Sequence, residues 1–296
     1  MSAAVRSRRA WMLQLAALCA LQACQQGTPQ PAAPPSTPQR IASQTIFSDE
    51  VLWSLGPSTQ SRVIAVSRLA DDPGYSSVAG KWPPRVARSP LTSEALLASE
   101  ADLVFVADFT AVETRELLAR SGVATVTLTG FSGFEDWRTN VVTLAQAVGE
   151  ADAGRALVER FDTELAAKSA AAAADGPTVV SWAAGNVAGR GTTFDDVAQA
   201  AGLRNLAGDQ GIVGHKPVTV EQLVAWNPQM LVVPCEGGQD CDAVAARIAE
   251  QPGIAATRAA ADAAILAVPT RILYSSGWAM LEAVTVLRRR DGAAPP

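Results

Sequence analysis

The chain carries few of the side chains that enzymes use for covalent or acid–base chemistry. His215 is its only histidine, so a Ser-His-Asp triad would have to use it, and no Gly-x-Ser-x-Gly elbow is present. Asp71 and Asp72 are adjacent in a loop that also holds Pro73 and Gly74, a setting more typical of a turn than of a catalytic acid pair. The sequence therefore predicts no catalytic residue and no enzyme.

Resident metal and nucleotide sites are disfavoured as well. A bare-metal receptor site would need several histidines. Gly185, Gly189 and Gly191 lack the Gly-x-Gly-x-x-Gly spacing of a dinucleotide site, and no Walker A sequence occurs. The formal net charge is −5, with no long basic run, which argues against a nucleic-acid partner. We expect no metal, no cofactor and no nucleic acid.

The cysteines fall into two groups. Cys19 and Cys24 lie near the N-terminus, whereas Cys235 and Cys241 flank a short polar stretch, residues 236–240. In an oxidising compartment the second pair is expected to form a disulfide that closes a small loop. A metal site built from two cysteines alone is the less favoured alternative.

Residues 1–24 have the pattern of a signal peptide. Arginines at positions 6, 8 and 9 precede an apolar stretch, Trp11–Leu21, that is too short for a comfortable membrane span. Residues 25–39 are rich in proline, which predicts a flexible tether. Apolar residues make up 48% of the chain and charged residues 18%, enough to build a packed core. We expect a globular protein outside the cytoplasm.

Short apolar strands alternate with helices on both sides of one helical stretch, residues 150–175. This stretch is rich in helix formers and has an apolar stripe at i, i+4 and i+8 from Leu157. The sequence predicts an α/β protein in which two Rossmann-like lobes, residues 40–149 and 176–290, are bridged by a single long α-helix. Its predicted length is about 24 residues, or roughly 36 Å. An ordinary surface helix inside one larger domain is the alternative.

A ligand in α/β sheets binds beyond the carboxyl ends of the strands. The loops predicted there include two glycine-rich stretches, residues 183–191 and 205–217. They mix aromatic, polar and cationic side chains, which suits a large, partly anionic chelate, although core packing is the alternative for each aromatic. The predicted ligand-binding residues are Tyr75, Asp108, Phe109, Phe131, Trp182, Asn186, His215, Arg271 and Trp278.

Several segments, in this order and spacing, resemble the class III solute-binding proteins of bacterial ABC importers, the ferric-siderophore and vitamin B12 group. They are Thr45–Gly56, Ser93–Val104, Ser121–Val126, Ala201–Ala207 and Val218–Pro228. The resemblance covers nearly all of residues 40–290. It implies two lobes joined by one helix, with a metal chelate, either a ferric siderophore or a cobalamin-like corrinoid, held between them.

The resemblance also implies partners. Receptors of this family dock on an inner-membrane ABC permease dimer through one surface glutamate per lobe, and Glu94 and Glu221 match those positions. Leu21–Cys24 resembles a lipoprotein box, so Cys24 is the expected lipidation site of a monomeric, membrane-anchored periplasmic protein. A secreted lipoprotein with hydrolase activity, or one with a non-transport interaction role, is the alternative.

Overall fold

Two β-sheets, each accompanied by helices, make up the part of the chain that the computed structural model describes, residues 37–89, 94, 98–170 and 175–289. The first sheet is wholly parallel and has the strand order β3-β2-β1-β4-β5. Its strands are β1 Ile41–Ser43, β2 Val63–Ser67, β3 Ala87–Ser89, β4 Leu103–Ala107 and β5 Ala124–Leu128. Every residue of β4 is buried, as expected for a central strand covered on both faces.

The helices of the first lobe follow these strands. They are α1 Ile46–Ser54, α2 Pro57–Arg62, α3 Val112–Ser121 and α4 Phe134–Ala147. The sequence suggests Ser48 as the N-cap of α1, but the structure assigns that role to Thr45, whose hydroxyl accepts a hydrogen bond from the Ser48 amide at 3.1 Å. The sequence also predicts a helix over residues 93–99. This range lies mostly outside the described residues, although Glu94 and Ala98 are helical.

The second sheet is mixed. It has the order β11-β10-β6-β7-β9, with β8 also paired to β6. Strands β6 Thr178–Ala183, β8 Arg204–Asn205, β10 Met230–Cys235 and β11 Ile265–Pro269 run parallel, whereas β7 Asn186–Ala188 and β9 His215–Pro217 are antiparallel additions. Its helices are α6 Thr193–Ala200, α7 Leu206–Asp209, α8 Val220–Trp226, α9 Cys241–Ala249, α10 Arg258–Ala261, α11 Thr270–Leu273 and α12 Met280–Arg288, with a 3₁₀ turn at Ile254–Ala256.

The sequence predicts that the two glycine-rich stretches are loops, but each of them contains a strand. The first contains β7, which pairs with β6 through a two-residue turn at Ala184 and Gly185. Both turn residues have positive φ, 48° and 84°, as a type I′ turn requires. The second stretch contains β9, so two antiparallel strands, β7 and β9, extend the sheet beyond β6.

Helix α5, Ala151–Lys168, connects the two sheets along the chain and is shorter than predicted. It has 18 residues, about 27 Å, and ends where Ser169 turns to extended backbone and its hydroxyl donates to the Leu165 carbonyl. Phe161 on α5 stacks on Trp137 of α4 with ring centroids 4.0 Å apart. The guanidinium of Arg288 on α12 donates to the Lys168 carbonyl. Helix α5 thus contacts helices that accompany both sheets; its role as the only bridge stays a prediction.

The α/β class with two lobes is confirmed. Within the described ranges, no helix combines the length and apolar character needed to cross a membrane. The same residues contain no cluster of three or more histidine, cysteine or carboxylate side chains positioned to hold a metal ion.

Candidate ligand-binding site

Residues that follow the carboxyl ends of the first sheet enclose a cavity of about 510 Å³, here called the first cavity. Gln44 follows β1, Arg68 follows β2, and Phe109 follows β4. The second lobe adds Tyr274 and Ser276. The remaining lining residues are Thr45, Ile46, Phe47, Ser67, Leu69, Thr110, Ala111, Thr114 and Phe131.

A second cavity, of about 590 Å³, lies against the second sheet. The antiparallel strands supply Asn186 and His215 to its wall, and α6 supplies Thr193 and Phe194. The other lining residues are Phe131, Ser132, Ser181, Ala183, Val187, Ala188, Gly191, Thr192, Gly214, Leu273 and Tyr274. The β7–β9 extension, which the sequence analysis missed, therefore forms much of this wall.

Phe131 and Tyr274 line both cavities and so lie at their boundary. The Phe131 ring makes edge contacts with Phe47 and Phe109, with centroids 5.6 and 5.2 Å away. These three phenylalanines form an aromatic wall contributed entirely by the first lobe. Phe109 and Tyr274 are 71% and 54% exposed, so ring surface is available for stacking on a ligand.

Tyr75 lies beside the first cavity rather than within it. It lines a third cavity of about 90 Å³ that shares Phe47 and Tyr274 with the first. Its side chain is 46% exposed. Arg271 faces the same small cavity and pairs with Glu282 at 3.0 Å. The only two tyrosines of the chain thus line the same small cavity, one from each lobe.

Hydrogen bonds between the lobes flank these cavities. On one side the Thr193 hydroxyl donates to the Phe131 carbonyl at 3.1 Å, and the Phe134 amide donates to Asp196 at 2.8 Å. The second bond places a carboxylate from the second lobe at the N-terminus of α4, where negative charge is favourable. On the other side the Thr270 hydroxyl donates to the carbonyl of Gly74, next to Tyr75, at 3.3 Å.

Two buried acids on α1 position the first-lobe loops. Asp49 accepts hydrogen bonds from the Ser67 amide and hydroxyl, the latter at 2.6 Å, and its burial raises its pKa to about 7. Glu50 accepts from the Ser77 amide at 2.8 Å, and its burial also raises its pKa. Asp49 thereby fixes the end of β2, and Glu50 fixes the loop that carries Tyr75.

Tyr274 has a raised pKa. Burial is the main cause, and the nearby Glu236 carboxylate adds to it. Its phenol therefore stays protonated further into the alkaline range and offers a hydrogen-bond donor at the boundary of the two large cavities.

The cavities bring together six of the nine residues predicted to bind ligand. Phe109, Phe131, Asn186, His215, Arg271 and Tyr75 line one or more of the three. Asp108 is exposed at the end of β4, where it accepts a hydrogen bond from the Gly130 amide at 3.3 Å. It supports the loop before Phe131 instead of lining a cavity.

Two tryptophans predicted at the cleft are placed elsewhere. Trp182 is only 7% exposed and belongs to the core of the second lobe, because β6 turns it away from the cavity that its neighbours Ser181 and Ala183 line. Trp278 packs edge-on against Phe161 at 5.6 Å, with the Arg160 guanidinium 4.4 Å above its ring. Neither tryptophan lines one of the three cavities, so ligand contact at these two positions stays a prediction that the cavity geometry does not support.

Sequence reasoning missed Gln44, Phe47, Arg68 and Tyr274. Gln44 and Arg68 directly follow strands, so the same strand-end rule could have selected them. Tyr274 lies in the segment after β11, where the sequence-based set of ligand-binding residues includes only Arg271 and Trp278. Phe47 is inside α1, where nothing in the pattern distinguishes a cavity wall from ordinary core.

The other singled-out residues line none of these three cavities. Cys235 and Cys241 are joined in a disulfide, with sulfurs 2.06 Å apart. Glu94 and Glu221 are exposed on helices. The pKa of Glu221 is lowered by its own backbone amide and by Thr219, in the first turn of α8. Cys24 lies outside the described residues.

Comparisons with known families and with solved structures both identify periplasmic binding proteins. A family model described as periplasmic binding protein matches residues 56–271. No functionally curated protein matches the chain significantly.

Solved structures match over most of the chain. A periplasmic heme-binding protein from Pseudomonas aeruginosa is 27% identical, covers 85% of this chain and 92% of its own, and has a TM-score of 0.67. The periplasmic heme-binding protein RhuT from Roseiflexus sp. RS-1 is 26% identical. The match covers 85% of this chain and 97% of RhuT, with a TM-score of 0.69. A possible iron-binding solute-binding protein from Staphylococcus epidermidis, 18% identical over 86% and 98%, supports the fold alone, with a TM-score of 0.73.

Proposed function

Because the chain belongs to the periplasmic binding protein family, we propose that it captures an iron chelate of the heme class between its lobes and delivers it to an ABC import permease. The observation that carries this proposal is the pair of tyrosines, Tyr75 and Tyr274, that line one small cavity from opposite lobes, together with Phe47 of the aromatic wall. Ferric iron accepts phenolate oxygen as an axial ligand in heme proteins. Planar aromatic ligands stack favourably on exposed rings such as Phe109.

The size of the site supports a ligand of this class. The first and second cavities, of about 510 and 590 Å³, fall in the range usual for ligand pockets. The heme-binding proteins from Pseudomonas aeruginosa and Roseiflexus are both more than 25% identical to this chain. Their similarity favours heme over a siderophore or corrinoid as the ligand.

Of the two tyrosines, Tyr75 is the proposed iron ligand. An axial phenolate must lose its proton, and the raised pKa of Tyr274 disfavours that loss. Tyr274 then acts as a hydrogen-bond donor and ring surface. Glu50 assists by holding the Ser77 amide and with it the loop that presents Tyr75.

The family assignment supports delivery, and the pattern of residues 1–39 supports a membrane anchor. Glu94 and Glu221 are proposed to pair with arginines of two permease subunits, since both are exposed and lie on helices. Residues 1–24 act as the signal, Cys24 carries lipid, and residues 25–39 tether a monomeric domain to the membrane. Solute capture without turnover is the expected activity, because the family binds its solutes.

A ligand screen tests the proposal. Purified protein is titrated with ferric heme, a ferric hydroxamate, a ferric catecholate and cobalamin, and binding is followed by absorbance and fluorescence. We expect heme to bind with submicromolar affinity and the others at least tenfold more weakly. Tight binding of a siderophore or cobalamin, with no heme binding, would reassign the ligand. No binding better than micromolar by any of the four would end the chelate proposal.

Tyr75→Phe tests the iron ligand. Loss of the phenolate is expected to change the visible spectrum of bound ferric heme and to weaken affinity by about tenfold or more, equivalent to 1.4 kcal/mol per factor of ten. The matched control is Tyr274→Phe, for which we expect a smaller loss of affinity and an unchanged iron spectrum. If Tyr274→Phe alone alters the spectrum, the two roles are reversed.

A further inference from the structure

The first cavity has one charged residue in its lining, Arg68. Arg68 is exposed, and no carboxylate lies within 4 Å of it among the residues that the structure describes. The rest of the wall is dominated by apolar side chains, including Phe47, Phe109 and Phe131. A single unpaired arginine at the edge of an aromatic cavity can pair with an anionic group on an otherwise apolar ligand.

The backbone around Arg68 strengthens the positive potential. The N-termini of α1 and α3 both reach the lining, through Thr45 and Ile46 on one side and Thr110 and Ala111 on the other. Helix N-termini favour negative charge because their first amides lack intrahelical partners. Ala111 caps α3 without a side-chain hydrogen bond, which leaves that end available to a ligand.

Gln44 provides a second, independent observation. It lies in the wall of the same cavity and is 5% exposed, and neither its amide nitrogen nor its amide oxygen has a hydrogen-bond partner within the described part of the chain. A buried amide with neither group satisfied is unfavourable for the folded state. Gln44 follows β1 and Arg68 follows the adjacent β2, so the two residues end neighbouring strands.

We propose that the first cavity is a carboxylate subsite, in which Arg68 and Gln44 bind an acidic side group of the chelate while the aromatic wall covers its apolar face. This inference rests on the proposed function and sharpens it, because it specifies which chelates fit. The planar fork of arginine matches a carboxylate with two parallel hydrogen bonds. Heme carries two such carboxylates, whereas the amide side chains of cobalamin are uncharged.

The test compares ferric heme with its dimethyl ester, in which both carboxylates are masked. The wild-type protein is expected to bind the free acid about 10- to 100-fold more tightly than the ester, the range typical of a charge-assisted hydrogen-bonded pair. In Arg68→Gln this ratio should fall close to one, because the acid form loses affinity and the ester does not. The matched control is Arg247→Gln on α9, an exposed arginine outside the cavity linings, which should keep the wild-type ratio.

The outcomes separate the two proposals. If the wild-type protein binds neither porphyrin, the heme function and this subsite both fail. If it binds acid and ester equally, or if Arg68→Gln keeps the preference for the acid, only the carboxylate subsite fails.

Gln44→Leu tests the role of Gln44 in the carboxylate subsite. The two measurements are melting temperature and affinity for ferric heme, which a purely structural role would lower together. Removal of an unsatisfied buried amide should raise the melting temperature by a few degrees, while affinity for the acid form falls. A lower melting temperature, or an unchanged affinity for ferric heme, would remove Gln44 from the subsite.

Discussion

Asp49 links the stability of the first lobe to pH. Its folded pKa of about 7 lies above the ordinary value of 3.8, so the native state keeps a proton that the unfolded state loses between those values. The free energy of unfolding therefore falls as pH rises across this window, by about 1.4 kcal/mol per pH unit for this one group. From pH 5 to pH 7 the wild-type protein should lose about 2–3 kcal/mol of stability through Asp49.

Asp49→Asn should remove that part of the slope. Urea unfolding at pH 5, 6, 7 and 8 measures it in both proteins. Burial also raises the pKa of Glu50 and Asp196, so some slope remains in the variant, and the difference between the two curves isolates Asp49. Parallel curves would show that Asp49 is ionised in the native protein throughout.

At the residue scale, the sequence predicts loops that line the cavities but not the direction of each side chain. Successive residues of a strand point to opposite faces, so a shift of one position decides between core and cleft. Trp182 and its neighbours Ser181 and Ala183 illustrate this, since the tryptophan is buried in the core while the two small residues line the second cavity. Only the packing of β6 against its helices settles which face is which.

At the scale of elements, the close packing of α4 and α5 depends on Gly154. A Cβ atom added at this position would overlap the Ala145 side chain on α4. Helix propensity alone predicts that Gly154→Ala stabilises by about 0.5–1 kcal/mol. We expect the opposite sign, a destabilisation of about 1–3 kcal/mol from overpacking. Chemical denaturation measures it, and a gain in stability would mean that the helix pair separates easily.

Elements with strong apolar patterns were predictable, and those set by tertiary contacts were not. The five consecutive apolar residues of β4 leave no exposed face, so the sequence alone indicates a buried strand there, and the structure has one. The helix predicted over residues 150–175 ends at Lys168, where Ser169 adopts extended backbone, an end that helix propensity alone does not predict. Strands β7 and β9 are three residues each and have no periodic signal.

At the scale of the whole molecule, the two exposed glutamates should govern docking on the permease. Glu94→Ala combined with Glu221→Ala is expected to leave melting temperature and chelate affinity nearly unchanged but to abolish uptake in cells. Surface charges of this kind control association rate and salt dependence more than folding. Exposed Glu250, replaced by alanine, is the matched control. Normal transport by the double variant, or its unfolding, would reject the docking role.

The lobes should move little on ligand binding. Hydrogen bonds from Thr193 and Thr270 cross between them on two sides of the cavities, and α5 packs against helices of both. Domain closure usually relies on hinges that absorb large changes in backbone torsion. We therefore expect small-angle scattering curves with and without ferric heme to superimpose closely. A marked decrease in radius of gyration on binding would instead indicate a flexible hinge between residues 40–149 and 176–290.

The position of the tryptophans determines what an optical binding assay reports. Trp53, Trp82, Trp137, Trp182, Trp226 and Trp278 are all absent from the linings of the two large cavities. A bound chelate therefore alters their emission mainly through space, by resonance energy transfer to a coloured acceptor, and not by ring contact. Trp137 and Trp278, paired edge-on at 5.8 Å beside α5, act as a fixed donor pair for this transfer. A strongly absorbing ligand such as heme should quench the emission, whereas a colourless chelator of similar affinity should leave it almost unchanged.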